Sequence, residues 1–235
     1  AWITEHPQEA SECSIQGLAQ ETFSSPATLI RFCHKMGFKG FKEFQKSLLY
    51  ELAIRKETDR KRFEDIKEED SLEEIVDKVT YKTISSLENT RKLIDMQVLE
   101  KCVNLLIESN AVYLYGLGSS LLVARDAYLK WLRINKECFI CDDVHAQYLQ
   151  AMNMKKGSVA MIISYSGMTQ EMITCAEIIR DKGLPIILIS RLDDSPLTRL
   201  ADYNLCVAST EVLIRHGAMS SRISQLNMID ILYTA

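Results

Sequence analysis

Proline and glycine are scarce, at 4 and 9 of 235 residues, while 47% of the chain is hydrophobic. That balance excludes low-complexity and collagen-like chains and describes an ordinary globular protein with ample core, as one large domain or two modest ones. Long apolar runs are missing too. None approaches the roughly 18 residues that a membrane span needs, and no signal-peptide pattern opens the chain. Cysteine is present in an odd number, 7, at scattered positions. This argues against a disulfide framework and for a reducing cytoplasm. The one CxxC, Cys138 to Cys141 in "ECFICDD", has no second pair and lies in an apolar, strand-like run. Core packing is its expected role, and no metal or cofactor is expected. The chain opens at Ala1 without methionine and stops inside the apolar helical pattern "QLNMIDILYTA", as a piece of a longer chain would.

Charge is unevenly spread. The net charge is −4, yet residues 23–62 carry 10 Lys and Arg against 4 Asp and Glu, whereas residues 63–235 carry 18 against 24. A basic segment attracts polyanions or simply forms a solvated helix face, and composition does not choose between them.

Three regions follow along the chain. Residues 1–60 read as short helices without strands. Residues 61–110 read as an acidic helical linker with dimerisation helices, with Ser71 and Glu74 spaced as a capping box and Asp95 as the cap of "MQVLEKCVNLLIES". At its start, "DRKRFEDIKEED", residues 59–70, reads as a solvated interdomain linker. From residue 111 to 235, the apolar runs "AVYLYG", "ECFIC", "SVAMIIS", "PIILIS" and "YNLCV" alternate with amphipathic helices. Apolar strands alternating with helices predict an α/β fold: a doubly wound, flavodoxin-like, five-stranded parallel sheet with helices on both faces. Such sheets bind ligands at the carboxyl ends of their strands.

At one such end, "VAMIISYSGMTQEMI", a buried strand runs into Ser164, Ser166, Gly167 and Thr169 and then into a helix. Gly167 permits a tight turn, the helix N-terminus favours an anion, and the hydroxyls add donors without charge. "YGLGSSLLVA" repeats the design, with Gly116 and Gly118 before Ser119 and Ser120. The alternative is simple helix capping, for which one hydroxyl suffices. Two such turns at adjacent strand ends suit a phosphate monoester, above all a phosphosugar. A nucleotide is disfavoured, because "GLGSS" lacks the third glycine of a dinucleotide fingerprint and no GxxxxGK[ST] occurs.

"YGLGSS" and "SYSGMT" resemble the motifs of the sugar isomerase (SIS) phosphosugar-binding domain over residues 111–210. The resemblance implies that Ser120, Ser164, Ser166 and Thr169 hold the phosphate and that His145 lies near the sugar. Its usual S-x-S-G-E-T carries glutamate where Met168 stands here, which weakens any claim to isomerase chemistry. Arg222 either reaches the phosphosugar or pairs with a carboxylate.

Near the start of the chain, "SIQGLAQET", the turn "FSS" and "SPATLIRFCHKMG" form two short helices, the second capped by Ser25 with Pro26 at its first position. Leu29, Phe32, Cys33 and Met36 make an inner stripe, leaving Thr28, Arg31, His34 and Lys35 outward. Lys39, Lys42 and Lys46 follow, interleaved with Phe38, Phe41 and Phe44. This matches a helix-turn-helix whose phenylalanines anchor while lysines meet phosphates; a small oligomerisation module has a similar pattern. With the SIS motifs behind it, "SPATLIRFCHKMGFKGFKEF" resembles the recognition segment of the RpiR family of bacterial transcriptional regulators, and "GAMSSRISQLNMIDILY" its C-terminal helix. By that analogy the first helix of the DNA-binding module is mostly missing before Trp2. The resemblance implies a regulator, most simply a repressor, that binds double-stranded operator DNA as a homodimer or higher oligomer and senses a phosphosugar effector. Ser25, Thr28, Arg31, His34, Lys35, Lys39 and Lys42 are its expected DNA contacts. The alternative is a phosphosugar isomerase or lyase with an accessory helical domain.

Overall fold

A computed structural model describes residues 2–56, 66–208 and 219–235. Most of the expected linker, and Gly217 and Ala218 ahead of the C-terminal helix, lie outside the described residues. The described residues fall into two compact units that divide at Lys82 and Thr83.

The first unit opens with helices α1 (Trp2–Glu5), α2 (Pro7–Glu12), α3 (Ile15–Glu21), α4 (Pro26–Lys35) and α5 (Phe41–Lys56). Its core joins Ala10, Leu18, Ala19, Leu29, Cys33, Phe38, Phe44 and Leu48, with Ile15, Phe32, Met36 and Phe41 packed against it. The Phe38 and Phe44 rings meet edge to face, 5.6 Å between centroids. Gln45 Nε2 donates to the Cys13 carbonyl at 2.6 Å, tying α5 to the turn after α2. The sequence pattern therefore names the inner face of this unit correctly.

Helix α6 (Leu72–Leu93) runs through the division between the units, and α7 (Met96–Glu108) follows it. The Ser71 and Glu74 side chains form the expected reciprocal cap, and the Asp95 carboxylate accepts from the Gln97 and Val98 amides. The buried residues Leu99, Cys102 and Leu106 of α7 join the core of the second unit. Helix α7 thus packs as part of the second unit.

That sheet comprises β1 (Val112–Gly116), β2 (Cys138–Ile140), β3 (Val159–Ile163), β4 (Ile186–Ser190) and β5 (Tyr203–Cys206), all parallel, in the order β2-β1-β3-β4-β5. Between and after the strands run α8 (Ser119–Arg133), α9 (Val144–Met152), α10 (Gln170–Asp181), α11 (Pro196–Leu200) and α12 (Met219–Thr234). Alternate strand residues divide the core, since successive side chains point to opposite faces. Leu114, Met161 and Ile187 pack with α7, α8 and α12, whereas Tyr115, Ile162 and Leu188 pack with α9, α10 and α11. This is the expected doubly wound α/β sandwich. Only α11 is absent from the pattern-based reading; its five residues are too few to show a period.

Among the described residues, no helix is long and apolar enough to cross a membrane, and no cluster of metal-ligating side chains occurs. The CxxC lies on and just past β2. Burial pushes the Cys138 thiol up to about 11 and raises Cys141, on which the charges of Asp143 and Asp142 act in the same direction. A redox-active thiol needs the opposite shift.

Candidate functional site

The register of β1 on β3 pairs Gly116 with Ile163, so two loops leave the sheet side by side at its carboxyl edge. One carries Gly118, Ser119 and Ser120 into α8; the other carries Ser164, Ser166, Gly167 and Thr169 into α10. The strand order reverses between these neighbours, which is where open α/β sheets bind ligands.

In the first loop Gly118 has φ +55°, and a Cβ there meets open space, so backbone conformation alone calls for glycine. At Gly116 the reason is contact: an added Cβ comes within 3.0 Å of the Ser120 main chain. Ser120 is buried, and Ser119 is half-buried.

In the second loop Ser164 is buried, and its hydroxyl lies 3.4 Å from that of Thr169. Thr169 is the N-cap of α10, and its side chain makes no capping hydrogen bond. Ser166 Oγ accepts from the Met168 amide at 3.3 Å. The hydroxyls of Ser164 and Thr169 are thus not consumed in ending the helix, unlike those of Ser14, Ser25 and Ser195, which each accept from the third amide of their helices. Gly167 turns the chain tightly, as expected, and also meets a packing constraint. Its φ is +66°, and an added Cβ falls 2.0 Å from Ser195 Oγ, the cap of α11. The glycine is required by packing against the neighbouring loop, whose Leu197 amide donates to the Gly167 carbonyl.

His145 lies in the first turn of α9, just past the carboxyl end of β2, and is exposed. Its acidic neighbours have structural roles: Asp143 caps α9, and Asp142 pairs with Arg125 at 2.5 Å. Arg222 lies in the first turn of α12, half-buried. Two side chains near the loops escaped the sequence reading. Arg191 follows β4, donates its amide to the Tyr165 carbonyl and pairs with Asp193 at 2.5 Å. Gln147, fully buried on α9, bonds the main chain of Gly116. A lone glutamine in a helix carries no sequence signal; its spacing from His145 is the only hint.

In the first unit, α3 and α4 are joined by the turn Thr22–Ser25. Ser25, Thr28, Arg31, His34, Lys35, Lys39 and Lys42 are all exposed. Ser25 Oγ accepts the Thr28 amide at 3.1 Å and lies 2.9 Å from the Thr28 hydroxyl, which in turn accepts from Arg31 at 3.5 Å. The outer face of α4 is therefore a short polar chain leading to a guanidinium, built on the packed stripe of Leu29 and Cys33. Exposed cations above buried phenylalanines suit a phosphate backbone, and an exposed arginine on a helix suits base edges in a major groove.

Two family models match separate stretches of the chain. Residues 1–55 match the model of the helix-turn-helix domain of the rpiR family, and residues 105–235 match the SIS domain. An uncharacterised HTH-type transcriptional regulator of Caldanaerobacter subterraneus subsp. tengcongensis is 38% identical over 232 residues, covering 99% of this chain and 81% of the relative. The NanR protein of Vibrio vulnificus, solved with ManNAc-6P, superposes with a TM-score of 0.68 at 27% identity, over 99% of this chain and 82% of that one. A putative sugar-phosphate isomerase of Listeria monocytogenes shares the fold alone, at 17% identity and TM-score 0.63 over 70% of this chain and 90% of its own.

Proposed function

The chain belongs to the RpiR family of helix-turn-helix regulators carrying an SIS domain, and on that premise we propose that it represses genes of sugar metabolism under control of a phosphosugar. The observation that carries this reading is the pair of hydroxyl-bearing loops at the ends of β1 and β3, with two side-chain hydroxyls left out of helix capping. A phosphate monoester needs several neutral donors and a helix N-terminus, and these loops supply both. Ser120, Ser164, Ser166 and Thr169 hold the phosphate, Gly118 and Ser119 shape the first loop, and His145 and Arg222 face the sugar. NanR, similar along nearly the whole chain, was solved with a phosphosugar.

Residues 1–60 bind operator DNA in the cytoplasm through Arg31 and the lysines. Turnover is not part of this function. Aldose–ketose isomerisation needs a base within hydrogen-bonding reach of a carbon-bound proton, and Met168 stands where the resembling motif carries a carboxylate. The working form is a homodimer. Leu122, Leu129 and Leu132 on α8 are 53%, 57% and 47% exposed, an apolar stripe that a second copy would cover.

The test joins both halves. A thermal-shift screen against a phosphosugar panel that includes ManNAc-6P is expected to find a stabilising ligand. Fluorescence anisotropy on duplex sites selected from a random library then measures DNA affinity with and without it. Failure of the chain to bind any duplex at low salt, or to bind any phosphosugar, overturns the reading.

A further inference from the structure

Strand β2 is short. It pairs with β1 only at Val112, Tyr113 and Leu114, whereas β1 continues to Gly116. The Val112 amide donates to the Glu137 carbonyl at 2.9 Å, so the main chain of Val112 faces β2. Strand periodicity turns Leu114 and Gly116 the same way. Beyond Leu114 no strand remains on that side among the described residues to receive these groups. Two glutamines of α9 take its place. Gln147 Oε1 accepts from the Gly116 amide at 3.3 Å, and its Nε2 donates to the Gly116 carbonyl at 3.0 Å. Gln150, one turn further on, donates to the Leu114 carbonyl at 3.2 Å. A primary amide matches a peptide unit in offering one donor and one acceptor, so the pair extends the ladder where β2 ends.

The consequence concerns the loop that begins at Gly116. Gly116 is the last fixed point before Gly118, where φ turns positive, and before the Ser119 and Ser120 hydroxyls. Without a partner, its buried amide and carbonyl would be unsatisfied at the root of the ligand loop. We propose that Gln147 is a positioning residue for phosphosugar binding: its side-chain amide acts as a surrogate strand that holds the β1 loop in its ligand-ready form. Gln147 itself touches no ligand. It also links the loop to the helix that bears His145, two residues earlier, so one element registers both parts of the site. This rests on the phosphosugar reading above.

The chemistry of the clamp gives a test that general loss of packing does not imitate. In Gln147→Glu an ionised carboxylate still accepts from the Gly116 amide but faces the Gly116 carbonyl with no proton. A protonated carboxyl restores both bonds. Burial raises a carboxyl pKa, so the variant regains the clamp as pH falls through that raised value. Affinity for ManNAc-6P, or for whichever panel sugar the wild type binds, is measured by calorimetry from pH 5 to 8.5. The wild-type to variant ratio is taken at each pH, which cancels titration of the sugar phosphate itself. The expected ratio is about tenfold to hundredfold at pH 8, as for a buried group left unsatisfied, collapsing toward unity at pH 5. Gln147→Met, which cannot titrate, should show the loss at every pH. A ratio near one throughout, or a loss in Gln147→Glu that does not change with pH, overturns the proposal while leaving the phosphosugar reading intact. A wild type that binds no phosphosugar overturns both. Should neither variant fold, hydrogen exchange on the wild type decides: ligand is expected to slow exchange at the Gly116 amide, and an unchanged rate overturns the proposal.

Discussion

At the scale of single residues, the ligand loops separate hydroxyls that end helices from hydroxyls that do not. Ser14, Ser25 and Ser195 each accept from the third amide of their helix, whereas Thr169, in the equivalent position, does not. Removing one donor to a charged phosphate typically costs about 1.5–3 kcal/mol, or roughly tenfold to hundredfold in affinity. Ser164→Ala and Thr169→Val should each lose that much phosphosugar affinity by calorimetry while keeping their melting midpoint. Unchanged affinity in both would reduce the cluster to local structure. Gly167 shows the limit of residue-level reading. The atom that forbids a side chain there is Ser195 Oγ, 28 positions away in the chain.

Among elements, the two helices of the helix-turn-helix end in the same motif with different residues. After α4, the Phe38 amide reaches the Cys33 carbonyl and the Gly37 amide that of His34, with Gly37 at φ +90°. After α3, the Ser24 amide reaches Ala19 and the Phe23 amide reaches Gln20, with Phe23 at φ +48° and 99% exposed. Both are Schellman ends, for which glycine is favoured. Phe23 carries left-handed strain with no burial in return. Phe23→Gly should therefore stabilise the unit by about 0.5–1 kcal/mol, net of the entropy that glycine adds to the unfolded chain, and chemical denaturation would measure it. On the outer face of α4, Arg31→Ala should relax base preference at one position of the operator. Lys42→Ala should weaken all duplexes alike and lower the salt slope by about 1. Equal effects of both substitutions on every sequence would remove Arg31 from base readout.

For the whole molecule, the proposed regulator needs the ligand domain to change how DNA is held. A single helix-turn-helix covers a short half-site, so specificity comes from two modules on a pseudo-palindrome. If the phosphosugar alters packing between copies, coupling of the usual 1–3 kcal/mol moves operator affinity roughly fivefold to 150-fold. Anisotropy titrations should show a shift in that range with the right phosphosugar, abolished in Ser164→Ala without change in basal DNA binding. A monomer by light scattering at micromolar concentration, or an operator affinity indifferent to a bound ligand, would rule this mechanism out.

Periodicity and local chemistry are enough to read several features directly from the amino-acid sequence. Alternating buried strands and amphipathic helices define the doubly wound sheet, Ser25, Ser71 and Asp95 mark helix starts, and the interleaved Phe and Lys of residues 38–46 separate a packed face from an exposed one. These features are legible because the physics behind each acts within a few residues. Other features depend on partners distant in the chain. The register of β1 on β3 sets Gly116 beside Ile163, the cap of α11 imposes glycine at 167, and β2 stops short so that a glutamine of α9 must complete its ladder. None of these has a local pattern. Each arises because a folded sheet edge must satisfy every buried amide and carbonyl with whatever group the packing brings there.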